Sequence, residues 1–328
     1  MKALQVVAFK NPPKLRELPT PEPANGELRI AVEACGLNFA DLLMIKGEYQ
    51  ETPEPPFTLG LEMAGVVDAL GDGTEGFDLG DRVAVFGGKG GLAEYTCANA
   101  SLCVPLPDAM SAVDAAAFQV AYGTSHLALT ERGAIHPGDK LLVLGAAGGV
   151  GLTAVEIGAV LGAEVIAVAR GADKLAVAKD AGASHLIDAT DPELADKLRA
   201  FKGIDIVYDP VGGDLARAAI RATARGGRYL VIGFASGDIP EFKLNHLLVK
   251  NIAVHGFYWG GYLGFSPQAL QRSLSDLFDL YAQGKLRPHI GLSAPLENAP
   301  EALEKLRRRE TTGKVVITMG TGKTSGPD

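Results

Sequence analysis

Four glycines crowd one short stretch of this chain: Gly145, Gly148, Gly149 and Gly151, with Ala146, Ala147 and Val150 as the only other residues. The apolar run Leu141–Leu144 precedes them and the small, apolar LTAVEIGAVLG follows. Residue types in that order predict a buried strand, a turn without bulky side chains, and a helix packed close to a sheet. Such a turn can do one kind of chemistry well. Glycines let backbone approach a pyrophosphate, and the first turn of the helix supplies free N–H groups at a positive dipole end. Ala146, Gly148 and Gly151 hold an AxGxxG spacing rather than GxGxxG, and a glycine-rich turn in an unrelated α/β protein is the alternative for the motif alone. A second strand, Glu164–Ala169, completes the unit and ends at Arg170. There a NAD-binding fold usually carries an acid for the ribose 2′-hydroxyl. The Arg170 cation suits a 2′-phosphate instead, with Gly171 beside it and Lys174 one helical turn on; a solvated Arg is the plain alternative. The expectation is NADPH rather than NADH.

The elements around that turn fall into two patterns. Residues 1–105 read as short strands (Met1–Phe9, Leu28–Glu33, Glu62–Leu70, Arg82–Phe86, Ala93–Ala98) divided by Pro- and Gly-rich turns, with a helical interval at Asn38–Lys46. That spacing predicts a compact, barrel-like β domain. From Met110 the pattern turns helical, through SAVDAAAFQVAYGTSHLALTERGAI. Past the glycine turn, strand and helix signals alternate to residue 258 and predict a doubly wound, mostly parallel sheet. The strands there are SHLID, GIDIVYD, GRYLVIGF and KNIAVHGF; the helices are DKLAVAKDAGA, PELADKLRAF and GGDLARAAIRATA. An amphipathic helix, ALQRSLSDLFDLYAQGKL, follows. Residues 287–319 return to β, with a helix at PEALEKLRRR and a last strand KVVITM. The polar tail 321–328 is expected to be mobile.

Composition narrows the function classes. A length of 328 residues allows two domains and a real core. The net charge of −8 and the lack of a basic run argue against nucleic acid. No apolar stretch is long enough to predict a membrane span, and MKALQVVAF shows no signal-peptide pattern, so neither is expected. Cys35, Cys97 and Cys103 are odd in number and scattered, which suits a reducing cytoplasm.

Taken in order, ACGLNFADLLMIKGEY (34–49), LGLEMAGVV (59–67), GDRVAVF (80–86), GGLAEY (90–95), AAGGVG (146–151), YDPVGG (208–213) and TGKVVI (312–317) carry a resemblance over nearly the whole chain. The chain resembles the zinc-independent NADPH:quinone oxidoreductase (zeta-crystallin-like) branch of the medium-chain dehydrogenase/reductase superfamily. The resemblance implies a doubly wound Rossmann parallel sheet inserted into a GroES-like β-barrel catalytic domain. Residues 1–118 and 260–328 would form the catalytic domain and 119–259 the NADP-binding domain, with NADPH held in the cleft between them.

The residues themselves argue against a catalytic zinc. The alcohol dehydrogenase branch has a Cys at the position of Asn38 and GHE where this chain has Gly60, Leu61 and Glu62. Asn38 and Leu61 offer neither thiolate nor imidazole. The four-Cys lobe of that branch is missing, and none of the six histidines has ligand spacing. No metal is expected. Without a Lewis acid, alcohol oxidation is disfavoured and easily reduced acceptors remain, quinones or alkenes conjugated to a carbonyl.

Candidate residues follow from the resemblance. Asn38 would bond the nicotinamide ribose or a substrate oxygen, or be a turn Asn. Asp41 would orient a neighbour, or be a helix N-terminal acid. Tyr49 would line the acceptor pocket and donate to a carbonyl, or be an ordinary half-buried aromatic. A second Tyr common in the family is Leu43 here. Glu62 is read as structural. Thr124 would lie near the nicotinamide. Gly233, Phe234, Ala235 and Ser236 follow the fifth strand, and Gly256, Phe257 and Tyr258 the last; both sit where such folds bind cofactor, with Trp259 and Tyr262 adding aromatic surface. Arg309 would reach a cofactor phosphate, or belong to a solvated helix face. Ala189 stands where some relatives have an adenine-contacting Tyr.

The expectation is a cytoplasmic NADPH-dependent reductase of quinones or similar conjugated carbonyls, a homodimer paired through KNIAVHGF. An enone or enoyl-thioester reductase and an NADPH-binding structural or sensor protein are the alternatives.

Overall fold

Alternation of small and branched apolar residues from Glu27 to Leu37 builds the strand on which the first part of the chain depends. A computed structural model describes residues 1–320; the polar tail at 321–328 lies outside the described residues. In chain order the first elements are β1 (Lys2–Val6), β2 (Lys14–Glu17), β3 (Glu27–Leu37), α1 (Phe39–Lys46), β4 (Phe57–Thr58), β5 (Glu62–Leu70), β6 (Arg82–Phe86), β7 (Tyr95–Asn99), β8 (Cys103–Pro105) and α2 (Ala112–Ala116). β3 is long enough to pair with β5 along its whole length and with β7 over its first half, both antiparallel. Its far end, Ala34–Leu37, is fully or nearly fully buried and leads directly into α1.

The helical stretch expected after Met110 is three pieces. α2 ends at Ala116, α3 is Gln119–Leu127, and Ala128–Arg132 is wound more loosely as a single π-turn. Then come β9 (Lys140–Leu144), α4 (Gly149–Val160), β10 (Glu164–Ala169), α5 (Ala172–Asp180), β11 (His185–Asp188), α6 (Leu194–Ala200), β12 (Ile204–Asp209), α7 (Gly213–Ala222), β13 (Thr223–Val231), α8 (Leu244–Lys250), β14 (Ala253–Gly256), α9 (Tyr262–Phe265) and α10 (Pro267–Ala282). The six strands lie in the order β11-β10-β9-β12-β13-β14, all parallel. Counted from β9 this is 3-2-1-4-5-6, the doubly wound order whose reversal lies at the carboxyl end of its first strand. β9, β10 and β12 are buried on both faces, as their continuous apolar runs require.

The chain closes with β15 (Ile290–Pro295), α11 (Ala299–Arg308) and β16 (Lys314–Thr318). β16 pairs antiparallel with Ala34–Leu37 of β3, so the last strand joins the sheet of β3 in the order β15-β16-β3-β5-β6-β8, while β1 forms a separate small sheet with β2 and β4. The chain thus divides into two compact units, Met1–Gln119 with Pro288–Asp328, and Val120–Arg287.

Three sequence expectations differ from this structure. Residues 260–287 were expected in the catalytic domain but belong to the nucleotide unit. Ser273 on α10 bonds His126 Nδ1 at 2.8 Å, Arg132 lies over the Tyr262 ring at 5.7 Å, and the Arg287 N–H reaches Glu156 at 2.7 Å. The helix expected to run through GGDLARAAIRATA stops at Ala222, and Thr223 begins β13. The last sheet strand starts at Ala253 because α8 fills the space before it and ends on Asn251 in the left-handed region. Leu244 and Leu248 of α8 are exposed, so no buried stripe marked that helix in the sequence.

Candidate active site

At the end of β9 the chain turns through Gly145, which has φ +61 and whose Cβ would meet Val211 Cγ2 at 2.8 Å. Gly151, one turn into α4, approaches this turn so closely that a Cβ would lie 2.2 Å from Gly145 O. Gly148 caps the helix in extended backbone and has only Gly145 O nearby, at 3.5 Å. Gly151 and Gly145 therefore seat the helix on the strand, while Gly148 keeps its outer side open. Ala146 is buried and donates its N–H to Val168 O of β10. Among the described residues the first-turn N–H groups of Gly149, Val150 and Gly151 have no acceptor within the chain. These are the orphan donors that bind an anion at a helix N-terminus.

Polar residues that sequence reasoning missed hold the turn from behind. Ser125 Oγ on α3 donates to Val150 O at 2.9 Å and is within 2.8 Å of Thr153 Oγ1 and 3.0 Å of Tyr208 Oη. Ser125, Thr153 and Tyr208 are all buried. A hydroxyl inside each of three apolar segments was their only signal. Next to them, Asp209 Oδ1 accepts from the N–H groups of Val211 and Gly212, both at 2.8 Å, and Tyr229 Oη donates to Oδ2 at 2.6 Å. Burial pushes the Asp209 carboxyl up, against those three donors. The YDPVGG motif is thus a carboxylate-pinned turn at the carboxyl edge of the sheet.

The other candidates on this unit line that edge. Arg170 is exposed, and Gly171, with φ +82, has open space where a Cβ would point. The Gly171 N–H donates to Asp188 Oδ2 at 3.0 Å, which fixes the turn from β10 into α5, the helix that carries Lys174. Thr124 is buried on α3, beside Gly123, whose Cβ would meet Trp259 Nε1 at 2.6 Å. Backbone bonds from Gly233, Ala235 and Ser236 to Asp209, Pro210 and Val211 fold the loop after β13 back on the turn. Phe234 stays partly exposed. Gly256 is exposed, Tyr258 half-buried, and Phe257 is buried against Tyr262 at 5.4 Å between ring centroids.

On the other unit, Asn38 caps α1 between the end of β3 and the helix. Its backbone N–H donates to Asp41 Oδ2 at 2.8 Å, and Asp41 Oδ1 accepts the Gly60 N–H at 3.2 Å. Asp41 is fully buried, and burial pushes its carboxyl up to about 7, while these donors and the Lys314 ammonium pull it back. Lys314, in the TGKVVI stretch, has no role legible from its sequence neighbours. Its Nζ lies 2.7 Å from Glu62 Oε1, with side-chain exposures of 4% and 1%. Nζ also donates to Asn38 Oδ1 at 2.8 Å and Leu37 O at 3.0 Å. The readable signal was a lysine heading an otherwise apolar last strand and an acid heading another. The structure brings Asn38, Asp41, Glu62 and Lys314 together. Tyr49 is half-buried in the turn after α1, its carbonyl accepting from Thr52 Oγ1 at 2.7 Å. Arg309 is exposed at the end of α11, in the left-handed region. Among the described residues, no three or more His, Cys, Asp or Glu converge to hold a metal.

Comparison with known proteins accords with this geometry. Residues 24–108 match the alcohol dehydrogenase GroES-like domain and residues 149–279 the zinc-binding dehydrogenase family. A quinone oxidoreductase-like protein 2 homolog of Nematostella vectensis is 38% identical over 89% of this chain and 81% of its own. The chain belongs to the quinone oxidoreductase branch of the medium-chain dehydrogenase/reductase superfamily. Solved quinone oxidoreductases share the whole architecture. That of Thermus thermophilus, described also in complex with NADPH, superposes with a TM-score of 0.85 at 36% identity, over 97% of this chain and 100% of its own. The Escherichia coli enzyme complexed with NADPH gives 0.91 at 28% identity, over 97% and 100%. As a quinone oxidoreductase relative the chain is an oxidoreductase with a GroES-like and a Rossmann unit.

Proposed function

We propose that this oxidoreductase transfers hydride from NADPH to quinones or similar conjugated carbonyls without a catalytic metal. The observation that carries the reading is the first turn of α4. Its first-turn N–H groups have no backbone acceptor, Gly148 beside them has open space, and Arg170 and Lys174 follow the neighbouring strand. Those residues fit a pyrophosphate and a 2′-phosphate in charge, donor type and free space. Gly149, Val150 and Gly151 would bind the pyrophosphate, and Arg170, Gly171 and Lys174 the 2′-phosphate. The loops Gly233–Ser236 and Gly256–Tyr258, with Thr124, would hold the nicotinamide ribosyl half; Arg309 would neutralise phosphate. When bound, NADPH supplies the hydride.

The residues near Asn38 suit an acceptor that needs no Lewis acid. The charges there are Lys314 against Glu62 with Asp41 buried nearby, and among the described residues no three His, Cys, Asp or Glu converge to hold a metal. A quinone accepts hydride at a carbonyl-conjugated centre and needs orientation, exclusion of water and a donor to its oxygen. Tyr49 is assigned as that donor. Asp41 serves by holding the backbone of Asn38. The three free cysteines suit a cytoplasmic setting.

β14 is the edge of the parallel sheet and carries the partly exposed Val254. An unpaired edge with apolar exposure favours pairing with a second copy of this chain. The test of function is NADPH oxidation with 1,2-naphthoquinone or 9,10-phenanthrenequinone, beside enals and enoyl thioesters. Turnover with the quinones supports the reading. Turnover with enoyl thioesters alone, or tight NADPH binding with no turnover, overturns it.

A further inference from the structure

The ammonium of Lys314 has three protons and meets three acceptors: Glu62 Oε1 at 2.7 Å, Asn38 Oδ1 at 2.8 Å and Leu37 O at 3.0 Å. None remains for a ligand. Asn38 Nδ2 donates to the same Glu62 Oε1 at 2.9 Å and to Gly36 O at 3.3 Å. Lysine carries donors only, so the atom facing Nζ must be the Asn38 carbonyl oxygen, and the amide cannot be turned round. Lys314, Asn38 and Glu62 therefore form a closed triangle of hydrogen bonds. Two of its members are buried, while Asn38 is half-buried.

We propose that Lys314 is a positioning residue which, through this triangle, locks the Asn38 amide with both of its N–H bonds turned inward. Asn38 then meets a ligand as a hydrogen-bond acceptor only. It selects a hydroxyl donor, such as a ribose hydroxyl, and cannot polarise an acceptor carbonyl. The inference deepens the reductase reading, since it divides the polar work: Asn38 recognises a hydroxyl, and any donor to the acceptor oxygen must come from another residue. A lone Lys314→Met leaves the Glu62 carboxylate buried without its cation. The informative variant is Lys314→Met with Glu62→Met, which removes both charges at once.

Three measurements on the full chain test this. In nitrogen-15 NMR, the Asn38 side-chain amide pair is assigned by its loss in Asn38→Ala. It should be slow to exchange in the native protein and resemble an exposed amide in the double methionine variant. In calorimetry, Asn38→Ala and the double methionine variant should each weaken NADPH binding about tenfold, and the triple variant by no more than either. With 9,10-phenanthrenequinone, the double methionine variant should change KM for NADPH more than kcat. Loss factors that multiply in the triple variant, or an Asn38 amide unchanged by the methionine pair, would overturn the lock. A native protein that binds NADPH but reduces no quinone sinks the reductase reading alone, because the NMR and binding measurements need no acceptor. If NADPH does not bind either, the NMR signature still decides.

Discussion

Lys314 and Glu62 face each other almost entirely out of water, so the two must be judged together. Removing one partner of a buried pair strands the other charge, at a cost of about 3–5 kcal/mol; replacing both by apolar residues is often close to neutral. Lys314→Met should therefore lower the free energy of unfolding in urea by about 3 kcal/mol or more, and adding Glu62→Met should recover most of it. If the single variant were as stable as the native chain, the pair would not be as buried as its geometry says. Arg170 supports a second residue-scale prediction. It is exposed beside the open Gly171 loop, so Arg170→Asp leaves the fold intact. The preference for NADPH over NADH should fall at least about tenfold, about 1.4 kcal/mol of differential binding. Equal preference before and after would remove the 2′-phosphate assignment. At this scale the glycine turn and Arg170 were legible in the sequence, because backbone shape and local charge are written in adjacent residues. Lys314 was not, since its partners Leu37, Asn38 and Glu62 lie far from it along the chain and only strand pairing joins them.

Elements meet with little tolerance on the nucleotide unit. The approach of α4 to the end of β9 leaves no room for a Cβ at Gly151, which would lie 2.2 Å from a backbone oxygen. Gly151→Ala should cost about 1–3 kcal/mol as overpacking does and move the first turn of α4. Thermal melting and NADPH calorimetry should show both losses; a variant that binds normally would show the turn to be adaptable. α3 and α10 are tied by His126 Nδ1 and Ser273 Oγ at 2.8 Å, with His126 buried. Burial lowers the His126 pKa below its ordinary 6.5, partly countered by Asp276. The unfolded chain thus takes up a proton before the folded one does. This contribution is fully present above pH 6.5 and is lost as pH falls through the folded-state value. Urea melts should show a fall in stability from pH 7 toward pH 5 with a slope of at most about 1.4 kcal/mol per pH unit from this group. His126→Gln should flatten that fall, and an unchanged slope would count against it. The strands of the parallel sheet were legible because they are buried on both faces and carry continuous apolar runs. α8 was missed because Leu244 and Leu248 face outward and only Leu247 packs on the core, and the limit of the second unit was misplaced because side-chain bonds, not composition, tie α10 to α3.

For the molecule as a whole, the last strand, β16, returns to the last residues of β3, and the stretch of chain between the two segments of the first unit forms a complete parallel sheet. The parallel sheet is left with β14 at its edge, and Leu244, Leu248 and Val254 are exposed nearby in sequence. Sedimentation velocity should give twice the chain mass, and Val254→Lys should weaken self-association at least about tenfold. A native monomer at micromolar concentration would remove the edge-pairing proposal. By itself the sequence determined the parallel strands, the glycine-rich strand–turn–helix and the pairing of a GroES-like with a Rossmann fold, but neither α8 nor the partners in the polar site around Asn38. The features it determined are local, set by periodicity, by glycine and by residue type within a few positions. Only the tertiary structure decided what stands in that polar site. The last strand carries Lys314 across the whole sequence to Asn38 and Glu62. A buried cation chooses its partners by distance and desolvation, which chain order does not record.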